Sequence, residues 1–129
     1  MQFWFACVTC VLILVNLDWP LADLPSLVDD FHTTPFQTPV VIPILDNDLA
    51  ADDYQLTLDS DPITSDPTNG TVEVNPDGTV TCTPDNGFTG TDTFDYQACD
   101  NQKSPQCDVA TVTVLVKSDN NPPIASEFV

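Results

Sequence analysis

The sequence predicts an all-β fold, a sandwich of about seven short strands, for this chain of 129 residues. Three observations support the prediction. Apolar and polar residues alternate with period two in one segment after another, which is typical of strands with one buried face. Clusters of Pro, Asn, Asp and Gly separate these segments at short intervals, as turns do. After residue 22 no segment has a long helical period, so closely spaced strands joined by turns indicate a β-sandwich.

Six segments carry the strand pattern: residues 39–45, 54–58, 71–74, 79–83, 93–99 and 108–117. In the first, Pro43 indicates an edge strand or a bulge, because proline cannot donate a ladder hydrogen bond. Between the third and the fourth, residues 75–78 (NPDG) predict a hairpin turn.

Alternation in the last two segments predicts which side chains face the core. In residues 93–99, one face carries Phe94, Tyr96 and Ala98, and the other carries Asp95, Gln97 and Cys99. In residues 108–117, one face carries Ala110, Val112, Val114 and Val116. We expect the aromatic and aliphatic faces to form the core of the sandwich.

The charge balance is strongly acidic, with 20 Asp and Glu residues against 2 Lys and Arg residues and a formal net charge of −18. Phosphate groups are bound by Arg and Lys, and this chain has only Lys103 and Lys117. We therefore expect neither nucleic acid nor an anionic membrane surface as a partner. Cations are the expected small partners.

Residues 3–15 form an apolar run that is too short for a confident membrane span but fits the core of a secretory signal peptide. We predict a signal peptide over residues 1–22, with cleavage after Ala22, and an uncleaved anchor is the alternative. Export would make the protein secreted or attached to the cell surface.

Three cysteines remain after the leader, which contains Cys7 and Cys10. Cys99 ends one strand segment and Cys107 precedes the next, so a hairpin would bring them together, and we predict a disulfide between them. Closing so short a loop stabilises the fold by about 2.5 kcal/mol in the chain-entropy model. Cys82 is then either a buried free thiol or part of an intermolecular bridge, and burial is favoured.

From residue 26 to residue 117 the chain resembles the cadherin-like, immunoglobulin-fold tandem repeats of large bacterial and algal surface proteins. The order of several short motifs carries this resemblance: residues 28–30, 38–48, 69–72, 75–80, 83–85, 87–94 and 110–114. The resemblance implies a Greek-key β-sandwich that begins with a strand at Asp29 and Asp30. It also implies that the domain is not an enzyme and is one of many in an exported, rod-like protein.

The apolar leader and this resemblance together suggest a three-part organisation. Residues 1–22 are the signal peptide, residues 23–117 are the immunoglobulin-like domain, and residues 118–129 are a linker with the truncated start of a following repeat. The segment NNPP at residues 120–123 cannot continue a strand ladder, which agrees with a linker.

Calcium is the predicted cofactor, because Ca²⁺ binds six to eight oxygen ligands and Asp is the usual donor in compact loops. The candidate ligands are the carboxylates expected at one end of the sandwich: Asp29, Asp30, Asp46, Asp48, Asp52, Asp53 and Asp100. The alternative is that these residues form turns and a solvated acidic surface.

No residue pattern predicts catalysis. His32 is the only histidine, which leaves no Ser-His-Asp or Cys-His arrangement and too few zinc ligands. A glycosidase with paired carboxylates is the enzyme alternative, but nothing locates such a pair in a cleft. Asn69, in the sequence Asn69-Gly70-Thr71, is a candidate N-glycosylation site, and the same residues suit a tight turn.

Taken together, these features predict a non-catalytic extracellular structural or adhesion module. The expected partners are other copies or repeats of the domain itself, or components of the extracellular matrix or cell surface. One alternative is a self-assembling subunit of an extracellular filament or matrix. Another is a carbohydrate-binding module, although Trp4 and Trp19, the only tryptophans, both fall within the predicted leader.

Overall fold

Eight β-strands form between residues 24 and 119, the part of the chain that this computed structural model describes. The predicted signal peptide and the residues after 119 lie outside the described residues, so their predictions stay open. The strands are β1 (Asp30–Thr34), β2 (Val40–Ile42), β3 (Leu56–Thr57), β4 (Ile63–Ser65), β5 (Gly70–Val74), β6 (Val80–Pro84), β7 (Gly90–Asp100) and β8 (Cys107–Val116).

The strands form two sheets, and the chain crosses between them repeatedly. The larger sheet has the order β1-β8-β7-β3, and β4 also pairs with β7. The smaller sheet has the order β2-β6-β5. Strand β1 runs parallel to β8, whereas every other strand pair between residues 24 and 119 is antiparallel. This architecture confirms the predicted all-β sandwich, with eight strands in the described range.

The long hairpin of β7 and β8 forms the centre of the core. Its register runs from Gly90 opposite Val116 to Cys99 opposite Cys107. The inward faces are those predicted from the alternation, and Ile42, Val80 and Cys82 of the smaller sheet complete the same buried cluster. Each fully buried side chain of this size contributes about 1.5–3 kcal/mol, so this apolar contact between the sheets is the main source of stability.

The predicted hairpin at residues 75–78 joins β5 to β6. The Gly78 N–H donates to the Asn75 carbonyl at 3.0 Å, and the Asn75 N–H donates to the Thr79 carbonyl at 2.8 Å. Gly78 has a φ of 86°, a left-handed conformation that favours glycine. The Asp77 carboxylate accepts hydrogen bonds from the Thr79 N–H and hydroxyl, which lowers the pKa of Asp77.

The ends of several strands differ from the sequence prediction. Strand β2 stops at Ile42, immediately before Pro43, and the predicted strand at residues 54–58 shortens to Leu56–Thr57. Strand β4 was not predicted, because its three residues lie between Pro62 and Pro67 and are too few to show a period. Only the family resemblance indicated β1, because its most buried residues are the polar Asp30 and Thr34.

The two cysteine predictions are confirmed. A disulfide joins Cys99 to Cys107 at the loop end of the β7–β8 hairpin. Cys82 is a free, buried thiol within the core cluster, and its burial raises its pKa.

Candidate functional site

The candidate site lies around the hydroxyl of Tyr96, where the middle of β7, the start of β1 and the loop after β2 meet. Tyr96 is fully buried. Its hydroxyl lies 2.7 Å from the Ile44 carbonyl oxygen and 2.6 Å from Asp48 Oδ2. A single hydroxyl proton therefore faces two acceptors. Burial, and next the hydrogen bond with Asp48, raise the pKa of Tyr96 far above its usual value.

The segment before β1 is attached to its surroundings by carboxylates. The N–H of Leu27 donates to Asp108 Oδ2 at 3.0 Å, and the N–H of Val28 donates to Asp48 Oδ1 at 2.8 Å. Asp29 Oδ1 accepts a hydrogen bond from the Thr111 N–H at 2.9 Å. Three Asp side chains thus hold the segment before β1, beside a single backbone bridge between Ser26 and Leu49.

Asp30 is the exceptional carboxylate of this site. The residue is only 8% exposed, and its Oδ2 atom is buried without a hydrogen-bond partner in the structure. The pKa of Asp30 is raised to about 6, first by burial and next by the negative charge of Asp48, while His32 and the Asn47 amide oppose the shift. A buried acceptor without a donor costs about 1–3 kcal/mol, and a charged one costs more.

The seven predicted calcium ligands do not share one position. Asp29, Asp30 and Asp48 all act electrostatically on Tyr96 and form one acidic group. Asp46, Asp52 and Asp53 are exposed in the loop between β2 and β3.

Asp100, the seventh predicted ligand, is buried. It lies four residues after Tyr96 in β7, which is about 13 Å along the strand because a strand rises about 3.3 Å per residue. It accepts hydrogen bonds from the Gln106 N–H and the Gln102 side chain. Between residues 24 and 119 no group of three or more His, Cys, Asp or Glu residues is arranged to hold a metal ion. Calcium binding by the seven-residue set therefore stays a prediction.

Other Asp residues stabilise turns, as the alternative interpretation of the acidic composition expects. Asp92 accepts hydrogen bonds from the N–H groups of Thr68 and Asn69, at 3.0 and 2.6 Å. These bonds shape the turn that enters β5, where Asn69 is half-buried. Glycosylation of Asn69 stays a prediction, and the turn alone accounts for the residues found there.

Sequence reasoning placed Tyr96 correctly in the core but did not identify it as a site residue. The residue type alone could have indicated this role of Tyr96. A tyrosine within an otherwise apolar inward face needs a hydrogen-bond partner for its hydroxyl.

A shallow groove of about 480 Å³ opens between the edge strands β3 and β5. Its apolar floor includes Leu45, Leu58 and Val74, with Asp59 and Asp77 among its other lining residues. No helix within residues 24–119 is long and apolar enough to cross a membrane.

Comparisons with known proteins place this architecture in a family. Residues 22–115 match the family model for the bacterial Ig domain. No curated protein sequence is significantly similar to the chain.

Two solved structures resemble the fold at low sequence identity. One is a nucleoside hydrolase-related hypothetical protein from Saccharophagus degradans that is associated with carbohydrate metabolism, with 9% identity, a TM-score of 0.45 and coverage of 74% of this chain. The other is protocadherin gamma C5 EC1-3, with 16% identity, a TM-score of 0.40 and coverage of 78% of this chain. The chain spans only 26% and 36% of these two structures. Because the family model covers well over half of the sequence, the chain belongs to the bacterial Ig domain family.

Proposed function

We propose that this domain is a non-catalytic structural module of an extracellular protein, a spacer that transmits tension along the chain. Membership of the bacterial Ig domain family and the Cys99–Cys107 disulfide support an extracellular location, because disulfides persist in oxidising compartments. Around Tyr96, the carboxylates of Asp29, Asp48 and Asp108 bind backbone N–H groups, which supports a structural use of these acids.

The observation that carries the proposal is the parallel pairing of the first and last strands. Residues Asp30 to Thr34 of β1 pair in register with Val112 to Val116 of β8. In a parallel pair the start of one strand and the end of the other lie at opposite ends. Tension between the chain entering β1 and the chain leaving β8 therefore slides the two strands along each other. All the hydrogen bonds of the pair resist this shear together, instead of breaking one at a time.

Single-molecule force spectroscopy tests this role. The full chain is held between two reference domains of known unfolding force and is stretched from its ends. We expect a single unfolding event at a force clearly above that of an Ig domain of similar stability that is pulled so that its terminal strands unzip. Unfolding at the lower force would refute the tension-bearing role.

A matched pair of proline substitutions tests the contribution of the β1–β8 pair. The Lys117 N–H donates to the Thr34 carbonyl, so the backbone groups of Thr34, and of His32 two residues earlier, point toward β8. The N–H of Thr33 points away from β8, toward the free edge of the sheet. We expect His32→Pro to lower the unfolding force, because it removes one shear-bearing hydrogen bond. Thr33→Pro is the control and is expected to retain the force.

Self-assembly into a filament is a second candidate, because two edge strands expose large apolar side chains. Phe31 on β1 is 64% exposed and Val41 on β2 is 59% exposed. Exposed apolar residues on sheet edges favour pairing with a second chain. Sedimentation velocity of the full chain over a hundredfold concentration range tests this candidate. Assembly that Phe31→Thr abolishes would support the filament, and a monomer throughout would exclude it.

A further inference from the structure

The outer edge of strand β5 presents backbone groups that the fold leaves unpaired. The Asp85 N–H donates to the Asn69 carbonyl at 2.8 Å, immediately before the first residue of β5. In an antiparallel pair, residues that bond to the neighbouring strand alternate with residues whose N–H and carbonyl groups point away from it. Gly70, Val72 and Val74 therefore direct these groups away from β6. Strand β5 is the last strand of its sheet, and no other strand of the described residues pairs with this side.

The apolar groove between β3 and β5 lies beside this edge. Val74 belongs both to the edge and to the lining of the groove, together with Leu45 and Leu58. Val72 lies two residues earlier on the same inward face of β5. All four side chains contact the core but stay half-buried. A strand added along the edge would bury more of this apolar surface, which is favourable by about 25 cal/mol per Å².

The charge around this edge is negative. Asp59 in the groove and Glu73 on the outward face of β5 are both exposed. The described residues that line the groove include no Lys, Arg or His, and the two lysines of the chain, Lys103 and Lys117, follow β7 and β8. A second copy of this chain, with a net charge of −18, would bring like charges together, whereas a cationic segment would be attracted.

We propose that the β5 edge binds an extended segment of another protein, in which apolar side chains alternate with Lys or Arg, as an added antiparallel strand. The existing pairs of this sheet are antiparallel, which is slightly more stable per residue than parallel pairing. The apolar side chains of the segment face the groove, opposite Val72 and Val74. Its cationic side chains lie on the outward face, where one is directly opposite Glu73. Main-chain hydrogen bonds supply affinity, and the alternating side chains supply specificity.

This inference goes beyond the tension-bearing role and does not depend on it. Strand β5 belongs to the smaller sheet, whereas the load-bearing strands β1 and β8 belong to the larger one. Edge strands are commonly protected against pairing by lysine or proline, and β5, with the sequence GTVEV, contains neither. Its one charged residue, Glu73, repels acidic chains such as a second copy and leaves the edge open to a cationic strand.

Fluorescence anisotropy with the full chain and a labelled peptide of alternating valine and lysine tests the proposal. Three altered peptides each remove one feature of the recognition. One has glutamate in place of lysine, one has glycine in place of valine, and one carries methyl groups on the valine backbone nitrogens, which would otherwise donate to β5. We expect each altered peptide to bind at least tenfold more weakly than the valine–lysine peptide.

A matched pair of charge reversals locates the bound peptide. We expect Glu73→Lys to weaken binding of the valine–lysine peptide about fivefold, because an attractive cross-strand pair becomes repulsive. Asp85→Lys is the control, since Asp85 is an exposed acid at the end of the β5–β6 hairpin away from the groove and its reversal changes the net charge equally. It is expected to bind the peptide within twofold of the unaltered chain. Circular dichroism checks that both variants are folded.

Hydrogen exchange gives a readout of the added strand itself. We expect the bound valine–lysine peptide to slow exchange of the Val72 and Val74 amides at least tenfold, because these N–H groups become hydrogen-bonded. Unchanged exchange at both amides would overturn the proposal. Equal binding of the glycine–lysine peptide would also overturn it, by showing attraction of charge alone. Slowing that grows with the concentration of the chain alone would identify a second copy as the occupant and would refute the cationic partner.

Discussion

In the absence of divalent cations, replacing Asp30 by asparagine should stabilise the domain at neutral pH. The carboxylate of Asp30 is buried beside Asp48, and its pKa rises from an ordinary value of 3.8 to about 6. Asparagine keeps the shape of the side chain and removes the charge that burial penalises. A buried charge with an unsatisfied oxygen atom costs more than the hydrogen bonds that its removal forfeits.

The magnitude follows from the two pKa values. One pKa unit corresponds to about 1.36 kcal/mol, so the difference between 3.8 and about 6 corresponds to about 3 kcal/mol of destabilisation by the ionised group at pH 7. Removing the charge recovers only part of this free energy, because the asparagine amide also needs hydrogen-bond partners. We therefore expect Asp30→Asn to raise the free energy of unfolding by about 2 kcal/mol at pH 7 and to leave it almost unchanged at pH 4.

The sign of the pH dependence follows from proton binding. Between about pH 4 and pH 6 the folded chain holds a proton on Asp30 that the unfolded chain has released. This contribution to stability is complete below the unfolded pKa and is lost as the pH rises through the folded value. The unaltered chain should lose stability over that interval more steeply than the Asp30→Asn variant does.

Urea denaturation with excess chelator at pH 4, 5, 6, 7 and 8 measures the effect. Asp66→Asn is the control, since it removes one exposed charge from an equally acidic surface and reports general repulsion. The reasoning about Asp30 fails if its variant is less stable than the unaltered chain at pH 7. It also fails if the two variants show the same pH dependence.

Three further predictions concern the disulfide, the free thiol and the β5–β6 turn. Replacing Cys99 and Cys107 together by serine should lower the free energy of unfolding by about 2.5 kcal/mol in urea denaturation. In force spectroscopy the unfolded double variant should be about 3 nm longer, because the disulfide prevents the chain between the two cysteines, which are 8 residues apart, from being stretched. The thiol of Cys82 should resist a thiol reagent in the folded chain and react at once in denaturant, since burial keeps it protonated and inaccessible; rapid labelling of the folded chain would contradict its core position. Gly78→Ala should lower the free energy of unfolding by about 1 kcal/mol in urea denaturation, because alanine is strained at a φ of 86°. No neighbouring atom would crowd the added Cβ, so the backbone strain is the whole effect. An unchanged free energy of unfolding would contradict this reasoning.

The sequence predicted those parts of the fold that depend on local periodicity. Residues 93–99 and 108–117 alternate over enough positions to fix both the strands and their inward faces, and residues 75–78 contain the turn chemistry that fixes a hairpin. Strand β4 escaped prediction because three residues between prolines carry no measurable period. Strand β1 has polar residues at its most buried positions, so hydrophobic alternation could not reveal it.

The candidate site was predicted less completely, because its contacts join residues far apart in sequence. Asp30 and Asp48 were both named as cation ligands, but the partner of Asp48 is Tyr96, 48 residues away. Asp100 was grouped with them because the end of its strand was expected at the same end of the sandwich. The path of the β7–β8 loop decides its environment instead, since that loop supplies Gln102 and Gln106 as donors.

Many Asp residues in this chain accept hydrogen bonds from backbone N–H groups, a structural role that the net charge does not reveal. Asp48 and Asp108 accept N–H groups of the segment before β1, Asp92 accepts those of the turn before β5, and Asp77 accepts those of the following hairpin. A short carboxylate reaches the backbone of an irregular segment and forms a charge-assisted bond there, which a neutral amide of the same size does more weakly. Each of these acids therefore belongs to the fold and gives no reason to infer a ligand. Asp30 differs from them because its buried Oδ2 atom has no donor, so its ionised carboxylate destabilises the fold instead of stabilising an irregular segment.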